Sequence, residues 1–185
     1  MLELAVVITV IGILLGAFIG PSSRLITDMR QSASAAEIER ELIAARSRAV
    51  AEGRPVGLYI TGSSIDASLS AIATSAGITA STYGLYPLEL SNSTSGSVRI
   101  STSIIDSTAS PGTYSISARF PGVQITSITG GSMSGTAVWF ATDGTPELRT
   151  FAGTRTGSQT LDINILLNGG SRIYVRAGSG LVEVQ

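Results

Sequence analysis

The 185-residue chain has no cysteine, no histidine and no lysine, and all 12 of its basic residues are arginine. Without cysteine there is no disulfide staple and no thiolate chemistry. Without histidine the commonest general base and the commonest zinc ligand are both missing. No ordinary nucleophile–base pair can be assembled from what remains, and the scattered Ser and Asp read as turn residues. Charge is scarce as well: 14% of residues are charged and the net charge is −1, so no bulk basic field draws the chain toward nucleic acid. A conventional enzyme is set aside on these grounds, with no catalytic residue, metal or cofactor expected.

What is present begins at the N-terminus. Between Glu3 and Arg24 no side chain is charged, and nearly every residue is Leu, Ile, Val, Ala, Phe or Gly. A helix of ~20 such residues spans the roughly 30 Å hydrocarbon core of a bilayer. A secretory signal would open with basic residues, and here an acid stands in that place, so a retained span is expected. Glu3 is costly in lipid, on the order of 2.5–3.5 kcal/mol at a helix centre and less near the interface, and such a group ordinarily has a partner. Gly12, Gly16 and Gly20 recur every four residues, the small-xxx-small spacing that lets helices approach closely. At Gly20-Pro21 a kink or melted segment is expected, because proline removes an N–H and crowds the preceding turn.

Helical patterning resumes over Ser22–Glu52. Leu25, Met29, Ala33 and Ala36 lead into Ile38, Leu42, Ala45 and Ala49 as one narrow stripe at three- and four-residue spacing. Gly53 caps the helix and Pro55 stops it. The whole helix would be about 78 Å long if unbroken. Its first half is lipid-soluble and its second amphipathic. A head of the remaining length cannot bury such a rod, so the rod needs neighbours.

From Pro55 the period changes to two. Val56–Ile60 reads as the first strand, and residues 61–96 as a variable loop region with a short strand or helical turn at Ser64–Ser75. Strands are expected at Ser97–Ile105, Gly112–Phe120, Gly122–Ile128, Thr136–Ala141, Glu147–Phe151, Asp162–Leu167, Arg172–Ala177 and Leu181–Gln185, with turns at Asp143-Gly144, Asn168-Gly169-Gly170 and Gly178-Ser179-Gly180. The expected fold class is α+β. A long N-terminal helix over 1–53, divided at about residue 21, packs on an antiparallel sheet or small sandwich over 54–185.

The run Leu2-Glu3-Leu4-Ala5-Val6-Val7-Ile8-Thr9-Val10-Ile11-Gly12-Ile13-Leu14 resembles the N-terminal signature of mature type IV pilins and type II secretion pseudopilins. That signature is an apolar helix with one glutamate near its start, a glycine a fixed distance later and a closing proline. Glu3, Gly12 and Pro21 stand in those places, the proline about one residue late and the glutamate a residue or two nearer the start. Glu41–Val56, Ala137–Gly144 and Arg172–Val184 are similar to segments of the minor-pilin group of pseudopilin H and fimbrial protein T.

The resemblance implies a helical homo-oligomeric filament, assembled with other pilins or minor pilins from subunits held in the inner membrane. It implies a cell-surface filament or a periplasmic pseudopilus as the destination. Assembly would run through Glu3, Leu4, Val7, Ile8, Ile11, Gly12, Leu15, Gly16, Gly20 and Pro21, with Glu3 meeting the N-terminal amine of an adjacent subunit. The other readings are a minor pseudopilin of a secretion system and a pilin-like module for DNA uptake. For the last, Arg172 and Arg176 share one strand face by alternation and could touch phosphates together with Arg54 or Arg155; paired or solvated arginines are the plainer reading. Asp143 alone is far short of a calcium site, and Asn92-Ser93-Thr94 matches a sequon of the kind that a Ser/Thr-rich tract yields by chance.

Overall fold

The computed structural model describes residues 2–91, 97–101, 115–130, 137–150 and 152–185, and for 2–6 and 13–23 the backbone alone. Helix α1 runs from Leu2 to Glu52. Its backbone remains helical through Gly20-Pro21, so the expected melted segment is absent. Proline's fixed φ is itself helical, and the lost N–H bond weakens a turn without abolishing it. Beyond Pro21 neither Gly nor Pro interrupts the helix until Gly53, which adopts φ +60° and ends it, two residues before Pro55.

Six strands form one antiparallel sheet and four form another. In chain order the first sheet takes β1 (Val56–Ile60), β2 (Leu85–Leu90), β3 (Val98–Ile100), and the second begins with β4 (Ile125–Thr129). Then come β5 (Ala137–Phe140), β6 (Pro146–Arg149), β7 (Arg155–Ser158), β8 (Ile163–Leu167), β9 (Arg172–Val175) and β10 (Val182–Val184). The spatial orders are β3-β2-β1-β5-β6-β7 and β10-β9-β8-β4. Between them fall α2 (Ala67–Ser75), capped by the Asp66 carboxylate accepting from the Ser68 N–H, and the short α3 (Ile116–Arg119), capped by Ser115.

The main core lies where α1 and the two sheets meet. Ile38, Leu42, Ala45 and Ala49 from the helix, Val56, Leu58, Val138 and Phe140 from the first sheet, and Ile165, Ile173 and Val175 from the second all pack there. Fully burying a side chain such as Ile38 or Leu42 is worth about 1.5–3 kcal/mol. A second core lies on the far face of the six-stranded sheet, where Tyr59, Tyr86, Leu88, Leu90 and Trp139 sit with Leu69 and Ala73 of α2. β1 is therefore buried on both faces. Gly57 opens room for Trp139 from the paired strand: a Cβ there would stand 2.6 Å from the indole.

Several expectations are corrected. The short element expected at Ser64–Ser75 is the helix α2, whereas Leu85–Leu90, expected as loop, is the strand β2. In β2 both faces are buried and Pro87 interrupts the pattern, so period-two alternation is lost. The strand expected over Gly112–Phe120 is, where described, the helical turn α3, because Ser115 offers an N-cap. β3 ends at Ile100, and β7 was not anticipated, since Arg-Thr-Gly-Ser carries no apolar signal. Residues 102–105 and 112–114 of the expected strands, residues 136 and 151, and the sequon at Asn92 lie outside the described residues. The helix stripe also divides: Leu25, Met29, Ala33 and Ala36 face solvent, and the seated face is Gln31, Ser34, Ala35, Ile38, Leu42, Ala45 and Ala49. A 3.6-residue period does not hold one line over seven turns, and sequence alone does not say which line meets the head.

Candidate functional site

The candidate site is the surface of α1 together with the junction that aims it. At its N-terminal end, Val7 and Ile8 are 54% and 62% exposed, Val10 and Ile11 are likewise exposed, and the space beside Gly12 is open. Thus the apolar half stands clear of the head at every side chain described. The side chains of Glu3, Leu4, Leu15, Gly16, Gly20 and Pro21 lie outside the described residues. Among the described residues no helix is long and apolar enough to cross a membrane.

Further along, α1 is tied to the head by polar contacts that bracket its apolar face. Arg30 Nη1 donates to the Pro121 carbonyl at 3.4 Å, Gln31 Nε2 to Asn168 Oδ1 at 3.5 Å, and Arg119 Nη1 to Glu37 Oε1 at 2.8 Å. Arg46 Nε donates to the Gly144 carbonyl at 3.2 Å. Gly144 (φ +80°) and Gly180 (φ +65°) belong to turns of different sheets, and a Cβ on Gly180 would lie 2.3 Å from the Gly144 carbonyl oxygen. Only glycine admits both the left-handed backbone and this approach. The Asp143-Gly144 turn is itself fixed by the Asp143 carboxylate, which accepts from the Thr145 hydroxyl and N–H; these bonds lower its pKa. With its Oδ1 accepting both bonds, Asp143 is a turn residue, and no group of three or more acidic or other ligating residues gathers among the described residues.

The helix ends in a chain of ion pairs. Arg48 meets Glu52, and Arg54 bridges Glu52 to the buried Glu89, whose other oxygen meets Arg99 at 2.9 Å. Burial alone would raise the Glu52 pKa, but hydrogen bonds and charge from Arg54 and Arg48 bring it below the ordinary value. On the far face of the same sheet Glu147 is held by the buried Arg149 and by Arg155. The Arg149 guanidinium stands 5.9 Å from the centre of the Trp139 ring.

Arg172 and Arg176 do lie on one outward face, with Tyr174 between them. Arg176 stacks 5.5 Å from the Tyr174 ring and pairs with Asp162 and Glu183, both at 2.7 Å. Hydrogen bonds to Asp162 and Glu183 raise its pKa, and Asp162 is lowered by the Ala177 N–H and by Arg176. Arg172 is exposed, with its Nη1 3.5 Å from the Tyr174 hydroxyl. Arg54 and Arg155, the other candidates for a phosphate contact, are each bound to a carboxylate.

No protein-family model matches the chain, and no curated protein matches it in sequence. Solved structures are similar to it over most of its length. The type IV minor pilin FimU of Pseudomonas aeruginosa is 14% identical, with a TM-score of 0.44 over 84% of this chain and 87% of that one. The minor pseudopilin EpsH from the Type 2 Secretion System of Vibrio cholerae is 12% identical, with a TM-score of 0.47 over 84% of this chain and 96% of that one. One is a pilin and the other a pseudopilin. The exposed half of the α1 surface was not read from sequence as a face of its own, although Met29, Ala36, Ile43 and Val50 repeat at seven-residue intervals. Nor was the Arg46 junction, whose only signal was two glycine turns far apart in the chain.

Proposed function

We propose that the chain is a structural subunit of a bacterial type IV pilus or a related pilus-like filament, polymerising through the first half of α1 with the β-rich head outward. The observation that carries this is the division of one helix into two environments. Its second half is seated on the head, and at Val7, Ile8, Val10 and Ile11 its first half exposes apolar surface that the head does not reach. Before assembly that surface is covered by the inner membrane, and in the filament by other apolar helices, so extraction need not expose it to water. Glu3 pairs with the N-terminal amine of an adjacent subunit, which sets register and offsets its cost in an apolar setting.

A second reading, a minor subunit of a pilus or of a secretion pseudopilus, is favoured by one further observation. The three segments that resemble the pseudopilin H and fimbrial protein T group converge in space, where Arg46 of the first meets Gly144 of the second beside Gly180 of the third. Electron microscopy of sheared surface filaments with mass spectrometry of their components tests both. A dominant band of this chain makes it the main subunit, and a trace amount within filaments makes it a minor one. A chain that stays in the membrane fraction, with Glu3→Ala changing nothing, overturns the filament reading. DNA uptake through Arg172 and Arg176 is the weaker reading because two carboxylates already hold Arg176. It requires retention on DNA at low salt that is lost in an Arg172→Ala/Arg176→Ala variant.

A further inference from the structure

Asn168-Gly169 is the only asparagine–glycine step in the chain; the other asparagines, Asn92 and Asn164, are followed by serine and isoleucine. It lies in the turn between β8 and β9, where Asn168, Gly169 and Gly170 are all exposed. The Asn168 side chain ties this turn to two other parts of the protein. Its Oδ1 accepts from the Gln124 N–H at 3.3 Å and from Gln31 Nε2 of α1 at 3.5 Å, and its Nδ2 donates to the Gly122 carbonyl at 2.8 Å. The Gly169 N–H makes no hydrogen bond among the described residues. The buried Gln31 amide lies against Gly169, so closely that no Cβ would fit there.

We propose that Asn168 is a site of self-modification, at which the backbone nitrogen of Gly169 attacks the side-chain amide carbon. The N–Cγ bond forms, the Cγ–Nδ2 bond breaks, and Nδ2 leaves as ammonia with the proton given up by the Gly169 nitrogen. The product is a cyclic imide of residues 168 and 169. Water then opens the imide, leaving aspartate when the bond to Cγ breaks and isoaspartate when the bond to the main-chain carbon breaks. One water enters, one ammonia leaves, and nothing is oxidised or reduced. The reaction is intramolecular, so no second molecule has to be held in place. Glycine at 169 offers a nitrogen with no side chain beside it. The two donors at Oδ1 stand where negative charge develops as the nitrogen attacks. Reaching Cγ requires rotation about the Asn168 Cα–C bond, at the cost of the Gly170 N–H bond to the Leu167 carbonyl. The residues that move with it are glycines at an exposed turn. Modification loosens the seat of α1. In aspartate a carboxylate oxygen replaces the Nδ2 donor and faces the Gly122 carbonyl, acceptor against acceptor. In isoaspartate the main chain gains one carbon between β8 and β9, which also pulls on the Asn168 N–H bond to the Gln124 carbonyl. This inference is independent of the filament reading, since it needs only the folded head and the helix seated on it.

The test holds the full-length chain, folded in detergent, at mildly alkaline pH in heavy-oxygen water and then digests it in ordinary water. Trypsin, cutting after arginine, releases residues 156–172, in which Asn164 serves as the internal control. The expected result is replacement of the amide at residue 168 by a labelled hydroxyl, as aspartate and isoaspartate, with Asn164 unchanged. An intact residue 168 in the folded chain, under conditions that convert the free 156–172 peptide, overturns the proposal. Gln31→Ala is expected to slow conversion about tenfold, less than the roughly 10²–10³ of an enzyme's oxyanion-hole donor because the Gln31 contact is long. An unchanged or faster rate overturns the donor role of Gln31. The consequence is read separately. Asn168→Asp is expected to speed amide hydrogen exchange around Gln31 and Gln124, and unchanged exchange overturns the loosening.

Discussion

Replacing Gly57 by alanine drives one methyl group into the face of a buried tryptophan. The new carbon would stand 2.6, 2.8 and 2.9 Å from Cδ2, Cε2 and Cε3 of Trp139, inside any real Cβ contact. The ring cannot swing aside freely, because Trp139 is fully buried and is packed among Tyr59, Tyr86 and Leu88 with Arg149 beside it. Nor can β1 shift, since it is laddered to β2 on one edge and β5 on the other. Overpacking of this kind costs about 1–3 kcal/mol, which for a chain of this size lowers Tm by roughly 2–4 °C per kcal/mol. Trp139 is the only tryptophan, so the intrinsic fluorescence of the full-length chain in detergent reports this site directly. The expected result is a lower denaturation midpoint with altered native-state emission. Trp139→Phe, which removes part of the ring, should recover some of the loss in the double variant, giving a coupling of opposite sign to the single effects. A Gly57→Ala midpoint within error of the parent, with unchanged emission, would refute the packing argument.

Other perturbations follow from the same contacts. Leu42→Ala removes a fully buried side chain from the seat between helix and sheets, so a loss of about 2–5 kcal/mol is expected by urea denaturation. Arg149→Ala leaves Glu147 buried with only the half-exposed Arg155, and should cost about 3–5 kcal/mol. Replacing Glu147 and Arg149 together by apolar residues of similar volume should cost much less, and equal losses would contradict the pairing. Asp162 has a folded pKa below its ordinary value of 3.8, so its contribution is present above that value and fades as the pH falls through the lower folded one. Asp162→Asn should therefore flatten the acid limb of a stability–pH curve and leave the region above about pH 5 parallel to the parent; an unchanged acid limb would remove Asp162 from the account.

The parts of this fold that were legible in sequence are those in which a single local rule decides. The helix end is one, fixed by a left-handed glycine and a proline. The closing strands are another: in Ile163–Leu167 and Arg172–Val175 one face is buried and the other wet, so alternation survives. Where two faces are buried, as in Leu85–Leu90, the pattern carries no period, and where neither is, as in Arg155–Ser158, it carries no apolar residues. The candidate surface divides along the same line. Glu3 in an uncharged run is conspicuous in any reading. By contrast, the choice between the Ile38 and Ile43 faces of α1 depends on which side the head occupies, and that is decided by Arg46, Gly144 and Gly180, three positions far apart in the chain that only folding brings together.

The route from helix to sheet has a mechanical consequence. α1 passes through Gly53, Arg54 and Pro55 directly into β1, and β1 lies in the interior of its sheet with β2 and β5 on its two edges. Tension along the helix is therefore delivered to a strand clamped from both sides, with Arg54 tied to Glu89 at the point of entry. Pulling the head from the rod means tearing two ladders at once, where an edge strand would peel away one bond at a time. The chain has placed its load path through the part of the sheet best able to bear it.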